Sequence, residues 1–557
     1  MKTNTGLPKL PGKIRAQSFL SAMAVFVISV SLLCYNLGAR YLWQDEADTA
    51  VLGERMMSCG KPLAYDGRNF ISRDFYSPED TQKLPTGDPV EAIRYSVQRG
   101  DFKADTAWIG QPWGQFAVAG ASLALLGRGT VAARLPFALA GALTVALLYS
   151  VVRRRLSSQT AAVAAVALVL TNPFWIMHVR QCRYYALSSL FLLVTVEAYL
   201  RWQEGRRWGG LIFIGAAWLW FQMDYGSLWP ILGILGLHAV TTRRRTLRET
   251  ALTFAGFCCV TAPFCVYYEL AGRTEYATTQ WVGSVYSMMF QFNQFQLPLV
   301  LIPVVLYFLW RNNKYRSNAQ SHSLVGLSLA VATVLPIWMA LVGPFPFYRY
   351  IVPLTTLSAI VVTYGMLGPA WAIARSKDIR LLVPCALSAG TLFFSVTNLL
   401  SSPGALLFPE ENRLKYYLSS VVRPEIGLLI TELTGTGEDD PNRATVEFLG
   451  ERLKPGDEIL CNYEDKPLMY YLQNRVRGGI SCFRVTDAGN VRFAVFRRSV
   501  SFTHTSIYLR ELRRSNWRAY STNAPDIPWG NLPDPRFHHA LLSSGSQPLM
   551  ILERVSP

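Results

Sequence analysis

The chain contains repeated apolar stretches that are each long enough to cross a membrane, and this pattern limits its possible folds more than any other feature. A membrane-spanning helix needs about 20 mostly apolar residues. Between Arg15 and Arg40 the sequence has no charged side chain, which predicts a first span over residues 17–36. That stretch is too long for a signal-peptide core and lacks an obvious small-residue cleavage site, so we interpret it as an uncleaved anchor.

Ten further apolar stretches bring the number of predicted spans to eleven. Their bounds are 135–152, 157–177, 184–200, 208–223, 226–242, 250–270, 294–310, 323–343, 350–373 and 380–399. Only 16% of the residues are charged, against about 25% in an ordinary soluble domain. This deficit excludes a disordered protein, a coiled coil and a nucleic-acid-binding module, and nine cysteines in 557 residues are not a disulfide scaffold. We therefore predict an all-α polytopic membrane protein.

The positive charges have a regular placement along the chain. The excess of 54 Lys+Arg over 37 Asp+Glu gives a net charge of +17, and clusters of these residues fall in every second connection. The clusters are Arg153 to Arg155, Arg201 to Arg207, Arg243 to Arg248, Arg311 to Arg316 and Arg375 to Arg380. Basic loops stay in the cytoplasm, which predicts a cytoplasmic N-terminus. The long first loop (37–133), the turns near 178–183, 224–225 and 344–349, the connection 271–293 and the tail are then expected on the outer face.

The polar tail has a different pattern from the rest of the chain. Helix-like stretches at Arg443–Leu453 and Lys466–Gln473 alternate with strand-like ones at Glu458–Asn462 and near Gly479–Val485. This alternation predicts a small α/β domain. We therefore divide the chain into a transmembrane domain (1–400), whose first loop carries interfacial helices, and an extracytoplasmic α/β domain (401–557). Within the latter, Cys461 and Cys482 could form a disulfide in an oxidising compartment.

Two acidic residues, Asp45 and Glu46, follow the first span closely and are expected at the outer membrane interface. A carboxylate beside an apolar boundary is partly desolvated, which raises its basicity and suits it to accept a proton from a hydroxyl group. An alternative is that Asp45 caps a short interfacial helix, with Asp48 at the third helical position. The two interpretations are compatible, because a capping carboxylate can also act as a base.

Several arginines lie on the predicted outer side, where topology does not require them. They are Arg134 at the start of the second span, Arg180 and Arg183 beside Tyr184, and Arg349 beside Tyr350. Arginine binds phosphate in a planar, bidentate manner. Alternatively, such arginines reach lipid phosphates and the aromatic residues form an interfacial belt. Together with the acidic pair on the same face, they predict a site for a phosphate-linked lipid. The histidines lack metal-ligand spacing, and no Walker, GxSxG or Rossmann motif is present.

Four segments are similar to motifs of the C-type membrane glycosyltransferases (GT-C). The segments are Asp45–Met56, Gly110-Gln-Pro112 through Arg134-Leu-Pro136, Thr171-Asn-Pro173 through Leu187, and Tyr348-Arg-Tyr350 through Pro353. By topology the similarity extends over about residues 20–400. More narrowly, the chain resembles the bacterial branch that includes the lipid A aminoarabinose transferase, the rhizobial galacturonosyltransferases and relatives of the protein O-mannosyltransferases.

The resemblance implies a transferase that uses a polyprenyl-phosphate-linked sugar on the outer face of the membrane and needs no metal cofactor. The acceptor is a glycan, lipid or protein, and a single displacement would invert the anomeric carbon. By position, Asp45 is the base and Glu46 orients the donor sugar or the acceptor. The remaining site residues are expected to be Arg134, Arg180, Arg183 and Arg349 for the donor phosphate, and Gln111, Tyr184 and Tyr350 as substrate-lining residues.

Two other classes of function fit a polytopic membrane protein. A secondary transporter or lipid flippase usually shows repeat symmetry and helices interrupted at the midplane, and the sequence shows neither. A non-catalytic assembly or sensor protein could use the outer α/β domain for binding. The absence of an Asn-X-Ser/Thr sequon mildly favours a bacterial inner membrane over the endoplasmic reticulum.

Overall fold

The computed structural model is mostly helical, with a small sheet in the C-terminal region. It describes residues 12–72, 89–98, 100, 102–272, 281–299, 301–314, 319–343, 347–376, 433–437, 440–478, 491–498, 508–509, 512–513, 515–526 and 547–555. The helices before residue 377 are α1 (Gly12–Cys34), α2 (Gln44–Cys59), α3 (Pro89–Gln98), α4 (Gly114–Leu126), α5 (Thr130–Leu156), α6 (Gln159–Leu170), α7 (Pro173–Val179), α8 (Tyr185–Gln203), α9 (Gly209–Phe221), α10 (Tyr225–Thr242), α11 (Leu247–Tyr267), α12 (Trp281–Phe295), α13 (Leu301–Lys314), α14 (Ala319–Val342) and α15 (Thr355–Ser376). Short 3₁₀ turns cover Leu270–Gly272, Tyr348–Tyr350 and Val352–Leu354.

Among the described residues, five helical segments are long and apolar enough to cross a membrane. They are Gln17–Cys34, Thr130–Leu156, Leu247–Tyr267, Gln320–Val342 and Val352–Pro369. Shorter apolar helices, such as α4, α6 and α9, lie between them. The protein is thus a multi-pass membrane protein. The predicted eleventh span (380–399) lies outside the described residues.

Proline and asparagine divide one predicted span into two helices. The stretch 157–177 forms α6 and α7, because Asn172 caps α7 by accepting a hydrogen bond from the Trp175 backbone N–H (3.0 Å). Pro173 occupies the first position of α7, where its missing N–H costs nothing. The chain therefore turns at this point and ends α7 beside Arg180 and Arg183.

Helix α2 lies in the first loop and is fixed against α4 by a glycine contact. A Cβ atom on Gly53 would lie 2.8 Å from the backbone nitrogen of Gly120 and 2.8 Å from the carbonyl oxygen of Phe116. Only two glycines allow backbones to approach this closely. Helix α5 in turn packs against α1, α4 and α8. The start of α2 is therefore held over the start of α5.

The described residues of the C-terminal region form two main helices and a five-stranded mixed sheet. Its elements are α16 (Pro441–Gly450), β1 (Glu458–Cys461), α17 (Asp465–Tyr471), β2 (Arg475–Arg477), β3 (Val491–Phe496), β4 (Trp517–Pro525) and β5 (Pro548–Arg554). The strand order is β2-β1-β3-β5-β4; β1 pairs in parallel with β2 and β3, whereas β5 is antiparallel to its neighbours. Both predicted helices and the predicted strand at 458–462 are present within a few residues. The predicted strand near 479–485, and Cys482 with its proposed disulfide to Cys461, lie outside the described residues.

Candidate active site

Asp45 lies in the first turn of α2, but it does not cap the helix. The helix begins at Gln44 with Trp43 in the N-cap position. Glu46, at the third helical position, accepts a hydrogen bond from the Trp43 backbone N–H (Oε2, 3.4 Å). The interpretation of Asp45 as the cap, paired with Asp48, is therefore wrong, because the helix starts earlier than the spacing indicated. The Asp45 carboxylate is not used for capping.

Two buried arginines face the Asp45 carboxylate. Its Oδ2 lies 3.4 Å from Arg349 Nη1 and 3.7 Å from Arg183 Nη2. The Asp45 side chain is 21% exposed, whereas those of Arg183 and Arg349 are 6% and 10% exposed. Both separations exceed that of a charge-assisted hydrogen bond, about 2.7–2.9 Å. The three side chains together carry one net positive charge at a partly open position.

Arg183 follows α7 in the short connection to α8. Its Nη1 donates to the Asp45 carbonyl oxygen (3.2 Å), to Thr49 Oγ1 (3.1 Å) and to Gln111 Oε1 (3.4 Å). Its buried Nε has no hydrogen-bond partner among the described residues. Burial is the largest influence on the pKa of Arg183 and lowers it, but Asp45, Tyr185, Tyr184 and Asp48 together outweigh burial and raise that pKa above the ordinary value. Arg183 is thus a permanent cation with an unused donor.

Arg349 comes from the distant 3₁₀ turn that precedes α15. Its guanidinium lies over the rings of Phe347 (4.4 Å), Trp43 (5.5 Å) and Tyr350 (5.7 Å). Aromatic faces attract a cation, so these rings hold the guanidinium next to α2. Burial is the largest influence on the pKa of Arg349 and lowers it, but Asp45 and the neighbouring tyrosines Tyr185, Tyr350 and Tyr184 together raise that pKa above the ordinary value.

Glu46 and Arg134 pair with each other. Arg134 Nε and Nη2 donate to the two Glu46 carboxylate oxygens (2.8 and 2.6 Å). The other Arg134 N–H groups bind three backbone carbonyl oxygens of the α1–α2 connection, those of Leu37, Arg40 and Tyr41. Glu46 Oε1 also accepts from the Cys182 backbone N–H (2.7 Å). Both side chains are buried, and all five N–H groups of this guanidinium have protein acceptors.

The remaining predicted site residues divide into two groups. Gln111 contacts Arg183, and the Tyr184 ring lies 5.6 Å from the Arg183 guanidinium. Tyr350 lies beside Arg349. Arg180, in contrast, donates from Nη2 to the Tyr35 carbonyl oxygen at the end of α1 (2.6 Å). The structure thus gathers most of these residues around Asp45 and directs Arg180 towards the first span.

Two kinds of neighbour were not predicted from the sequence. Thr49 lies four residues after Asp45, a spacing that places both on one helix face. The sequence therefore contained a pattern from which Thr49 could have been predicted as a neighbour of Asp45. The backbone N–H groups of Tyr41 and Leu42 donate to Asp440 Oδ2 (2.6 Å) and to the Tyr471 hydroxyl (3.0 Å). These partners are about 400 residues away in sequence, and no local pattern marks them. Within the described part of the chain, no group of three His, Cys, Asp or Glu side chains could hold a metal ion.

Comparison with known proteins gives one family match and a fold match over nearly the whole chain. Residues 111–268 match the family model described as dolichyl-phosphate-mannose-protein mannosyltransferase. Two crystal structures of ArnT from Cupriavidus metallidurans align over 97% of this chain and 98% of their own. The apo structure has 15% sequence identity and a TM-score of 0.55, and the structure bound to undecaprenyl phosphate has 14% and 0.53. No curated protein matches the sequence significantly. The chain resembles the C-type membrane glycosyltransferases.

The two matches cover the site to different extents. The GT-C-type family model spans Gln111, Arg134 and Arg183, whereas Asp45 and Arg349 lie outside the matched residues. The ArnT fold, in contrast, extends over the first loop and the C-terminal region as well. The resemblance predicted from the four sequence segments is therefore confirmed.

Proposed function

We propose that the protein is an integral membrane glycosyltransferase that moves a sugar from a polyprenyl-phosphate donor to an envelope acceptor, which is a lipid, polysaccharide or protein. The observation that carries this proposal is the Asp45 carboxylate between the buried cations Arg183 and Arg349. The mannosyltransferase family match supports glycosyl transfer. The ArnT structure bound to undecaprenyl phosphate supports a polyprenyl-linked donor.

The arrangement can perform a single displacement. The acceptor hydroxyl oxygen forms a bond to the anomeric carbon, and its proton passes to Asp45 as general base. The bond between the anomeric carbon and the phosphate oxygen breaks, and its electron pair leaves with the polyprenyl phosphate. Arg183 and Arg349 stabilise the charge that develops on this phosphate. Attack opposite the leaving group inverts the configuration at the anomeric carbon, and no step requires a metal.

Arg183 has a donor for this task. Neither Arg183 nor Arg349 forms a short bond to Asp45, and Arg183 Nε has no protein acceptor among the described residues. A buried donor without a partner costs free energy, which a phosphate oxygen would recover. We propose that Gln111, Tyr184 and Tyr350 line the donor position, because each lies against one of these arginines.

We assign Glu46 and Arg134 a positioning role, in place of the substrate contacts expected from the sequence. All five N–H groups of the Arg134 guanidinium bind Glu46 or backbone carbonyl oxygens. Each Glu46 oxygen accepts from both Arg134 and a backbone N–H. The pair therefore fixes the α1–α2 connection that carries Asp45.

We propose that the site faces the outer side of a bacterial inner membrane. Helix α5 carries Arg134 near one end and Arg155 near the other. The 21 residue steps from Arg134 to Arg155 span about 31 Å at about 1.5 Å per residue, close to the roughly 30 Å of a bilayer core. The end at Arg155 bears the arginine cluster typical of the cytoplasmic side. This orientation also gives a cytoplasmic N-terminus and an extracytoplasmic domain from about residue 401.

The proposal can be tested by mass spectrometry of envelope lipids and glycans from a deletion strain complemented with wild type or Asp45→Asn. We expect a missing sugar that wild type restores and Asp45→Asn does not, because the amide cannot accept the proton. Asp105→Asn is a matched control, since Asp105 is an exposed first-loop carboxylate that pairs with Lys61. Full restoration by Asp45→Asn would overturn the assignment of the base. An unchanged sugar profile in the deletion strain would instead point to transport.

A further inference from the structure

The C-terminal region binds the four residues that precede Asp45, the last of which begins helix α2. In this lead-in segment (residues 41–44), the Tyr41 and Leu42 N–H groups donate to Asp440 and Tyr471 as described above. The Leu42 carbonyl oxygen accepts from Asn442 Nδ2 (3.2 Å). Most backbone hydrogen-bonding groups at the start of the segment therefore have partners from beyond residue 439.

The last residue of the lead-in segment is bound through its side chain. Gln44 Nε2 donates to Asp465 Oδ1 (2.7 Å), and Gln44 Oε1 accepts from the Lys466 backbone N–H (3.3 Å). Both groups of this buried amide are thus engaged by the first turn of α17. Asp45, the proposed base, is the next residue.

The C-terminal partners are themselves rigidly held. Asn442 also donates to Glu464 Oε2 (3.1 Å), and Glu464 is a buried residue in the left-handed backbone region at φ 62°, ψ 37°. Non-glycine residues in this region cost free energy and persist where the surroundings enforce them, often at functional sites. The Tyr471 hydroxyl is 2.6 Å from Thr130 Oγ1 at the first residue of α5. Tyr471 thus connects the lead-in segment to the membrane helix that carries Arg134.

We propose that Asn442, Asp465 and Tyr471 are positioning residues for catalysis, which hold the lead-in segment so that the Asp45 carboxylate meets the acceptor hydroxyl. The two arginines lie 3.4 and 3.7 Å from Asp45, too far to fix it through short hydrogen bonds. The backbone must therefore determine where the carboxylate lies. Arg134 binds this backbone from the membrane side, and the C-terminal region binds it from the other side. The inference rests on the proposed role of Asp45.

The test compares Asn442→Ala with Asn474→Ala. Both substitutions remove an amide that donates two hydrogen bonds, but the Asn474 bonds stay within the C-terminal region, to the carbonyl oxygens of Lys454 and Asp457. A misplacement of about 1 Å can cost about 100-fold in rate, so we expect Asn442→Ala to lower transfer at least tenfold and Asn474→Ala to lower it less than twofold. Hydrogen exchange over residues 41–49 should rise only in Asn442→Ala. Binding of undecaprenyl phosphate, used as the probe, should stay within twofold of wild type.

A second pair of variants keeps the inference testable if Asn442→Ala does not fold. Tyr471→Phe removes one oxygen and with it the acceptor for Leu42 N–H. Thr130→Val removes the other partner of the same hydroxyl and leaves the lead-in segment bound. We expect Tyr471→Phe to slow transfer and raise exchange over residues 41–49 by more than Thr130→Val, which keeps the acceptor for the Leu42 N–H; equal effects of the two variants would contradict the inference.

The outcomes separate this inference from the proposed function. Wild-type transfer by Asn442→Ala and Tyr471→Phe, with an inactive Asp45→Asn, would overturn the positioning role alone. An active Asp45→Asn would overturn the proposed base and the inference with it. Loss of undecaprenyl phosphate binding together with transfer would assign these residues a general structural role and also contradict the inference.

Discussion

In the proposed mechanism, Asp45, Arg183 and Arg349 combine two requirements that normally conflict. A general base must have room to accept a proton, whereas a phosphate site needs an excess of fixed positive charge. Here the carboxylate is the most exposed of the three side chains, and both cations are buried around it. The long Asp45–arginine separations let the cations bind a phosphate without removing the ion pairs.

Replacing Arg183 or Arg349 with glutamine should lower transfer by about 10²–10³-fold, because one preorganised donor to the leaving phosphate is lost. Binding of undecaprenyl phosphate should weaken in the same variants, measured by titration of the purified protein. Arg128→Gln is the control, since Arg128 is 45% exposed and pairs with Glu54. Unchanged phosphate binding in both arginine variants would contradict the proposed donor site.

The sequence predicted Asp45, Arg183 and Arg349 because each lies close to the end of a span in a connection that alternating topology places on the same face. It could not predict the partner of Arg134. Pairing of Arg134 with Glu46 depends on the packing of α1 against α5, and two separated charges of opposite sign do not reveal whether they meet. For the same reason, the sequence could not show that Arg180 binds the Tyr35 carbonyl oxygen at the end of α1.

At the scale of elements, the contact between α2 and α4 determines how closely the first loop approaches the membrane helices. Gly53→Ala should destabilise the protein by about 1–3 kcal/mol, because the added methyl group overpacks against the backbone of Gly120. Gly215→Ala is the matched control. Gly215 lies within α9 with open space around its Cβ position, so alanine should raise stability by about 0.5–1 kcal/mol. Thermal unfolding in detergent would show the opposite signs, and a stable Gly53→Ala would contradict the contact.

Hydropathy located most of the apolar helices before residue 377, but it misplaced some of their ends by several residues and did not detect where an apolar stretch is interrupted. The break at Asn172–Pro173 divides a single apolar stretch, since hydropathy does not register a capping side chain. The predicted span at 350–373 begins with a 3₁₀ turn through Pro353. In the tail, the two predicted helices and the strand at 458–462 are present, whereas strand order depends on contacts between distant residues and could not be predicted.

At the scale of the whole molecule, the seam between the first loop and the C-terminal region contains buried carboxyl groups. Burial raises the pKa of Glu464 to about 8, with Arg497 and the Asn442 hydrogen bond opposing the shift and Asp440 and Asp45 adding to it. Burial likewise raises the pKa of Asp440 to about 6, with the N–H groups of Tyr41, Asn442 and Arg443 and the charge of Arg40 opposing the shift. An acid whose folded-state pKa is raised favours the protonated folded state.

The free energy of unfolding should therefore fall as the pH rises from about 4.5, the ordinary pKa of Glu464, to about 8, its pKa in the folded protein. The contribution is complete below the unfolded pKa and is lost as the pH passes the folded one. Glu464→Gln should flatten the dependence of the thermal unfolding temperature on pH above about pH 6. The glutamine variant has no carboxyl to ionise, so it no longer loses the corresponding free energy of unfolding, on the order of a few kcal/mol. Glu447→Gln, at an exposed position on α16, should leave the slope unchanged. An unaltered slope in Glu464→Gln would show that folding does not raise the pKa of this carboxyl.

The hydrogen bonds to the lead-in segment also have a consequence for biosynthesis. Asp440 and Tyr471 follow the backbone groups they bind by 399 and 429 residues. At about 5–20 residues per second, a ribosome needs roughly 20 to 90 s to extend the chain from one partner to the other. During that interval the proposed base has been made, but nothing beyond residue 439 exists to hold it. If the C-terminal region positions Asp45 as we propose, a nascent chain completes its early membrane helices before it can be fully active, and translation beyond residue 439 becomes the step that completes the site.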